Sequence, residues 1–280
     1  MDTIIAGAIY TLIAIGFNLI YRVTKFFNIA HGVFIVLGGY TVLLLHNTLG
    51  LGLLPGVTAG VLLVGVAGML ADKAVFGVLR RKRAPGVIML VASLGILWAL
   101  QALIALVFGT GFRRLSGMGE IPETYEIFGA VVTEIQVAIM AAGISVTALL
   151  ALIINKTRFG MAVKAIGDDE EVARIIGIDT DKIIGWVFFI GSAIAGLGGI
   201  LIGFDVGLLP AMGMMLLLKG ITASIIGGAG NIYGGALGAY LLGLVENTGA
   251  VAFSGGWRDA SAFGLLIIFL LFRPRGILGT

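Results

Sequence analysis

The sequence predicts an all-α, polytopic membrane protein of about eight or nine transmembrane or broken helices, and three observations lead there. Of its 280 residues, 59% are hydrophobic and only 12% charged, and the mean hydropathy is +1.11, far from the balance of a soluble domain. The apolar runs last about 20 residues, the length a helix needs to cross ~30 Å of hydrocarbon, whereas barrel strands are about half as long and alternate. The 45 glycines suit close helix contact in lipid, where small residues let backbones approach. With no cysteine and only His31 and His46, the chain offers no disulfide, thiolate metal site or histidine cluster, so no metal is expected.

The first run, 3–21, lies in MDTIIAGAIYTLIAIGFNLIYR, which opens on an acid and carries its cations at the far end, so it reads as a spanning helix rather than a cleavable signal. Further runs follow at 29–46, 53–71, 86–108, 136–154, 183–204, 213–229, 232–252 and 260–272. The run 213–229 is short, interrupted by glycine and carries Lys219, and so reads as re-entrant or broken. Between them, 109–135 is the sizeable loop on one side, holding Glu120, Pro122, Glu123 and Glu126, and 155–182 is the longest on the other. The whole chain, 1–280, reads as one transmembrane domain.

Cations set the orientation. Arg22, Lys25, Lys73, Arg80, Arg81, Lys82, Arg83, Lys156, Arg158, Lys164, Arg174, Lys182, Arg273 and Arg275 fall on one side, against Arg113, Arg114 and Arg258 on the other. Lys/Arg-rich loops stay in the cytoplasm, which puts the amino terminus outside and the carboxyl terminus inside. The net charge of +3 therefore reflects topology and gives no reason to expect nucleic acid as a partner. NIAHG at Asn28–Gly32 and NIYGG at Asn231–Gly235 each follow an inward run and precede an outward one, a weak parallel internal repeat of the kind that marks transport paths.

Small residues recur every fourth position along two helices: Gly191, Ala195, Gly199 and Gly203, then Gly235, Ala239 and Gly243. That pattern predicts tight helix packing more than pore lining. Lys219 and Glu246 are the ionisable residues deepest in the apolar runs. A charge at the bilayer centre costs about 2.5–3.5 kcal/mol on insertion scales, so each should face protein, a partner or water, unless Lys219 snorkels and Glu246 lies nearer its helix end. Asn18, Asn28, Ser224, Asn231 and Asn247 are softer polar candidates; Asn28, Lys219, Ser224 and Asn231 form the expected substrate path.

The loop 155–182 contains AIGDDEEVARIIGID, the densest acidic cluster of the chain. Asp168 is placed to cap a helix with Glu171 three residues on, Asp169 and Glu170 sit in its first turn where the helix dipole favours acids, and Gly177 fits the left-handed position after its end. Such a helix has about nine residues, ~13 Å, too short to be stable alone in water, so Val172, Ala173, Ile175 and Ile176 need a surface. The surface is either the protein's own bundle or a cytoplasmic partner.

The segments GMAVKAIGDDEEVARIIGIDTDKIIGWVFFIGSAIAGLGGILIG, LIYRVTKFFNIAHGVFIVLGGY, KGITASIIGGAGNIYGGALGAYLLG and RPRGILG resemble, in order and over essentially the whole chain, the inner-membrane permeases of ABC importers for branched-chain amino acids, specifically the shorter, H-type subunit. The resemblance implies an ABC importer permease fold and a plasma-membrane location. It also implies four partners: an M-type permease paralogue, a pair of ABC ATPase subunits that hold ATP and Mg, and an extracytoplasmic binding protein delivering leucine, isoleucine or valine. It further implies that 155–182 is the loop that touches the ATPases, through Asp168, Asp169, Glu170, Glu171, Ala173, Arg174 and Gly177. The DDEE run is denser than the family pattern, which leaves open which acid makes contact. Relatives that import urea or short amides keep a second substrate class open.

The division of labour fits the residues. GGAGNIYGG lacks the lysine of a GxxxxGK[ST] phosphate loop and adjoins a membrane run, so this chain is expected to bind no cofactor and to catalyse no reaction. The expected function is a transport subunit in which Lys219 attracts the carboxylate of a zwitterionic substrate. A self-sufficient secondary transporter would need ion-coupling acids in its spans, of which only Glu246 is available. A membrane-embedded enzyme would need a catalytic constellation at membrane depth, and His31 and His46 stand near opposite ends of one run.

Overall fold

The computed structural model describes residues 1–115, 124–127 and 129–279. Glu120, Pro122 and Glu123 of the expected external loop lie outside these residues.

Two helices form the centre. Helix α1 (Asp2–Thr24) and helix α9 (Thr180–Asp205) each have an 18-residue apolar stretch that is 83% buried inside the protein. Three others of spanning length, α3 (Leu53–Ala71, continued to Arg81), α5 (Gly86–Phe108) and α6 (Glu134–Lys156), bury only 28%, 22% and 22% of theirs and turn the rest outward. In lipid an apolar residue gains nothing by leaving the membrane for the protein, so the outward faces of α3, α5 and α6 suit acyl chains. The glycine stripes bring the central helices together, since without side chains their backbones meet directly. A Cβ on Gly191 would press on the Gly16 carbonyl of α1, and one on Gly199 would collide with the Ile35 carbonyl of α2 (His31–Val42). On α11 (Ile232–Ala252), Gly235 faces Asn18 and Gly243 faces the Thr3 carbonyl, both on α1. Ala195 and Ala239 are fully buried between these contacts, and Gly203 packs on Leu115 and Leu208.

The expectation of about eight or nine transmembrane or broken helices is slightly high by length and composition. Among the described residues, five helices are long and apolar enough to span, or six if one bent pair counts as a span. In run 29–46, α2, of 12 residues, continues into a wide π-turn at Leu43–Thr48, while the final run is α12 (Trp257–Phe272), of 16 residues. α12, and α2 without its π-turn, are shorter than the ~20 residues that match the hydrocarbon thickness. The bent pair is α10 (Met212–Gly227) with α11, which meet at 114°, so the break expected for the run 213–229 falls at its end, before α11. Gly228 and Gly230, at φ 115° and 82°, make the break in a backbone region that side chains disfavour.

The break is well tied. Asn231 caps α11 by accepting from the Gly234 N–H at 3.1 Å, and Asn18 accepts from the Gly230 N–H at 3.0 Å while donating to the Asn231 carbonyl at 2.8 Å. The chain end folds back here: Ile277 and Leu278 N–H donate to the Ile226 and Gly227 carbonyls at 2.9 Å, satisfying the open end of α10. The two Asn motifs thus differ locally, since Asn231 is the cap of α11 whereas Asn28 stands two residues before Ala30, which precedes α2.

Two features escaped the sequence reading. A hairpin pairs β1 (Thr124–Ile127) antiparallel with β2 (Ala130–Thr133), Thr124 opposite Thr133. Thr133 then opens α6 through a complete capping box with Gln136, a signal present in the spacing T-x-x-Q. The last elements, α4 (Gly77–Arg81), α7 (Arg158–Asp168) and α8 (Glu170–Ile175), lie at the cation-rich end.

Candidate functional sites at the two ends of the bundle

Charge is concentrated at opposite ends. At the end holding Asp2 and Arg258, Lys219 of α10 is the hub of a network across four helices. Its ammonium is 3.0 Å from Glu246 of α11, 3.1 Å from Asp259 of α12 and 3.2 Å from the Tyr10 hydroxyl of α1, which itself donates to Glu246 at 2.7 Å. Lys219 does not snorkel, and the Glu246 carboxylate, with a side chain only 4% exposed, is buried rather than at a helix end in solvent. Taking such charges out of water is costly unless they are paired, and here each has its opposite. Lys219 is therefore already shared by two acids, and a substrate carboxylate attracted to it would have to displace one of them.

The other expected path residues are not gathered around Lys219. Ser224 is buried and donates to the Gly220 carbonyl one turn back in its own helix at 2.8 Å. Asn231 lies at the far end of α10, by the break, where its amide also donates to the Leu278 carbonyl at 2.9 Å. Asn28 is fully buried just before α2. His31 begins α2 edge-on to Phe17, and His46 approaches the Leu51 carbonyl at 2.6 Å.

The opposite end gathers Arg22, Lys25 and Arg275 around Asp168, and Arg80, Arg81 and Arg83 around Glu170 and Glu171, lining cavities of about 390 and 280 Å³. The acidic segment lies between them, and its helix needs correction. Asp168 is the last residue of α7 rather than a cap. Gly167 before it packs on Arg22 of α1, and Val163 and Ile166 are buried, so contact with the bundle holds α7 in helix up to Asp168. The chain then turns extended at Asp169, whose carboxylate accepts from the Glu171 and Val172 N–H groups at 2.9 and 3.0 Å. Glu170 is spent on Arg174 at 2.9 Å, and Arg174 also donates to Thr180 at 3.1 Å. The resulting α8 has 6 residues, closed by Gly177 at φ 90° as expected.

The apolar side chains of α8 divide. Ala173 is 1% exposed against the protein, whereas Ile175 is 83% exposed and Val172 and Ile176 more than half so. The bundle thus covers one small residue and leaves an aliphatic patch beside acids. An ion-pair chain links this patch to the membrane helices: Asp181 in the first turn of α9 meets Arg81 at 3.4 Å and Arg80 at 3.2 Å, and Arg80 meets Asp72, 2% exposed after α3, at 3.1 Å.

Comparison with known proteins bears on both ends. Residues 1–272 match the family model described as branched-chain amino acid transport system, permease component. The chain is 31% identical, over 98% of its length and 92% of the relative's, to the high-affinity branched-chain amino acid transport system permease protein BraD of Pseudomonas aeruginosa. It is 32% identical, with the same coverage, to the permease protein LivH of the corresponding Escherichia coli system. Among solved structures it is similar in fold to a chain of PsaBC from Streptococcus pneumoniae in complex with Fab, with a TM-score of 0.55 and 13% identity over 98% of this chain and 91% of that one.

Proposed function

Because the chain belongs to the branched-chain amino acid transport permease family, we propose that it forms, with an M-type permease, the membrane path of an ATP-driven importer for leucine, isoleucine and valine. The observation that supports this reading most is the match to that family along nearly the whole chain. In this reading a pair of ATPase subunits holds ATP and Mg, and an extracytoplasmic protein delivers the amino acid.

The cation-rich end is the cytoplasmic one, since Lys and Arg are retained on that side during insertion. The amino terminus, at the end with Asp2 and Arg258, is then outside. On the cytoplasmic face α7 and α8 form the coupling segment. An exposed aliphatic patch is the kind of surface a groove on a partner covers, and Val172, Ile175 and Ile176 supply it. Closure of the ATPases pushes α8. The push reaches α9 through Thr180 and α3 through the Asp181–Arg80–Asp72 pairs.

Replacing Ile175 with lysine tests this coupling. The side chain makes little contact with its own bundle, so thermal stability should stay within about 0.5 kcal/mol, while recovery of the ATPase subunits by affinity purification through this chain should fall several-fold. Undiminished recovery of the ATPases and full transport would contradict the docking role of α8.

A further inference from the structure

At the end away from the cation cluster, α1, α6, α9, α10, α11 and α12 surround a cavity of about 410 Å³, within the range of small-molecule sites. Its wall combines three kinds of chemistry. Ile9, Ile202 and Leu216 offer an aliphatic surface, Lys219 and Arg258 two cations, and Glu246, Asp205 and Asp2 three acids. Asp205 is held in place by the Gln136 amide at 3.3 Å.

The charges are not balanced pair by pair. A single ammonium, Lys219, serves both Glu246 and Asp259. Of the Glu246 carboxylate, one oxygen accepts from Tyr10, while the other is buried with the shared Lys219 ammonium 3.0 Å away. Asp259 is the labile member: its side chain is 49% exposed, against 4% for Glu246. An exposed carboxylate released from Lys219 regains water, so giving up that pair costs little.

We propose that this cavity is a binding station for a zwitterionic amino acid with an aliphatic side chain. This rests on the importer reading above and adds the groups that hold the solute. The substrate carboxylate displaces Asp259 from Lys219. The substrate ammonium faces Glu246 and Asp205 and gives the acids that share Lys219 a second cation. The side chain lies on Ile9, Ile202 and Leu216. A zwitterion makes this exchange without changing the charge of the site. A solute lacking the carboxylate leaves Lys219 on Asp259, and one lacking the ammonium places a second anion beside Glu246 without bringing a cation of its own.

The test uses the complete importer with its partner subunits in lipid nanodiscs, without the binding protein, and measures bound radiolabelled leucine. Leucinamide, which has no carboxylate, and 4-methylpentanoate, which has no ammonium, should fail to displace it, while isoleucine should compete. Asp259→Asn removes the competitor for Lys219 and should tighten leucine binding about threefold; Glu246→Gln should weaken it roughly tenfold, the worth of one charged hydrogen bond. Equal displacement by leucinamide, or an unchanged dissociation constant in Asp259→Asn, would overturn the station. Should Glu246→Gln not assemble, the rim variant and the competitors still decide. If these fail while the wild-type complex carries out ATP-dependent leucine uptake, the station alone falls; if the wild type takes up no branched-chain amino acid, the importer reading falls with it.

Discussion

Replacing Gly199 with isoleucine is expected to abolish recoverable folded protein. A Cβ at this position would overlap the backbone carbonyl of Ile35, and a carbonyl in a helix cannot swing away as a flexible side chain can. The nearest relief is to separate α9 from α2, and α9 is one of the two most buried helices. Inserting even small groups into a close-packed interior costs about 1–3 kcal/mol, and here the group enters backbone contact at the centre of the bundle. Gly264, on α12, has no atom within 4 Å of an added Cβ, so Gly264→Ala is the matched control and should leave yield unchanged. Size-exclusion chromatography of detergent-extracted protein distinguishes the outcomes, a monodisperse peak for the control and aggregate or no protein for Gly199→Ile. A monodisperse Gly199→Ile would show that α9 and α2 are packed less closely than described.

The second large effect concerns Lys219. Lys219→Met leaves Glu246 buried with only the Tyr10 hydroxyl beside it, and breaking a buried pair by removing one partner costs about 3–5 kcal/mol. The double variant Lys219→Met with Glu246→Gln removes the stranded charge as well and should recover most of that loss. Thermal unfolding of the single and double variants in one detergent reads the difference. If Lys219→Met unfolds at the wild-type temperature, the network is not holding α1, α10, α11 and α12 together.

These two sites differ in how far the sequence revealed them. The glycine stripe is local: a repeat every fourth residue puts Gly191, Ala195, Gly199 and Gly203 on one face, and in lipid that face must meet another backbone. What the repeat cannot tell is the neighbour, and the stripe in fact divides between α1 at Gly191 and α2 at Gly199. The Lys219 network is non-local. The expense of a buried charge announced that Lys219 and Glu246 needed partners, but Tyr10 lies 209 residues from Lys219 and 236 from Glu246, and no spacing rule connects them. Asp259 was hidden further by lying near a helix start, where an acid has a local explanation.

The acidic segment shows the same limit on a smaller scale. Its caps were readable as chemistry: an acid at the start, glycine in the left-handed position at the end. The starting point was displaced by one residue because Asp168 and Asp169 are both competent caps, and the choice between them is made by α7 packing on Arg22 of α1, a tertiary contact. The number of helices of spanning length came out slightly below the expected count for a related reason. Apolar run length measures how far a segment can stay in lipid, not where its helix breaks. The π-turn at Leu43–Thr48 changes the helix type inside a run that remains apolar, and the bend between α10 and α11 falls where two apolar runs adjoin.

The central claim is that this chain is the membrane path of an ATP-driven branched-chain amino acid importer. Uptake of radiolabelled leucine into proteoliposomes tests it most directly, using this chain with its M-type partner, the ATPase subunits and the binding protein. The account predicts uptake that requires ATP and disappears when either this chain or the ATPase subunits are left out; uptake that persists without the ATPase subunits would contradict it.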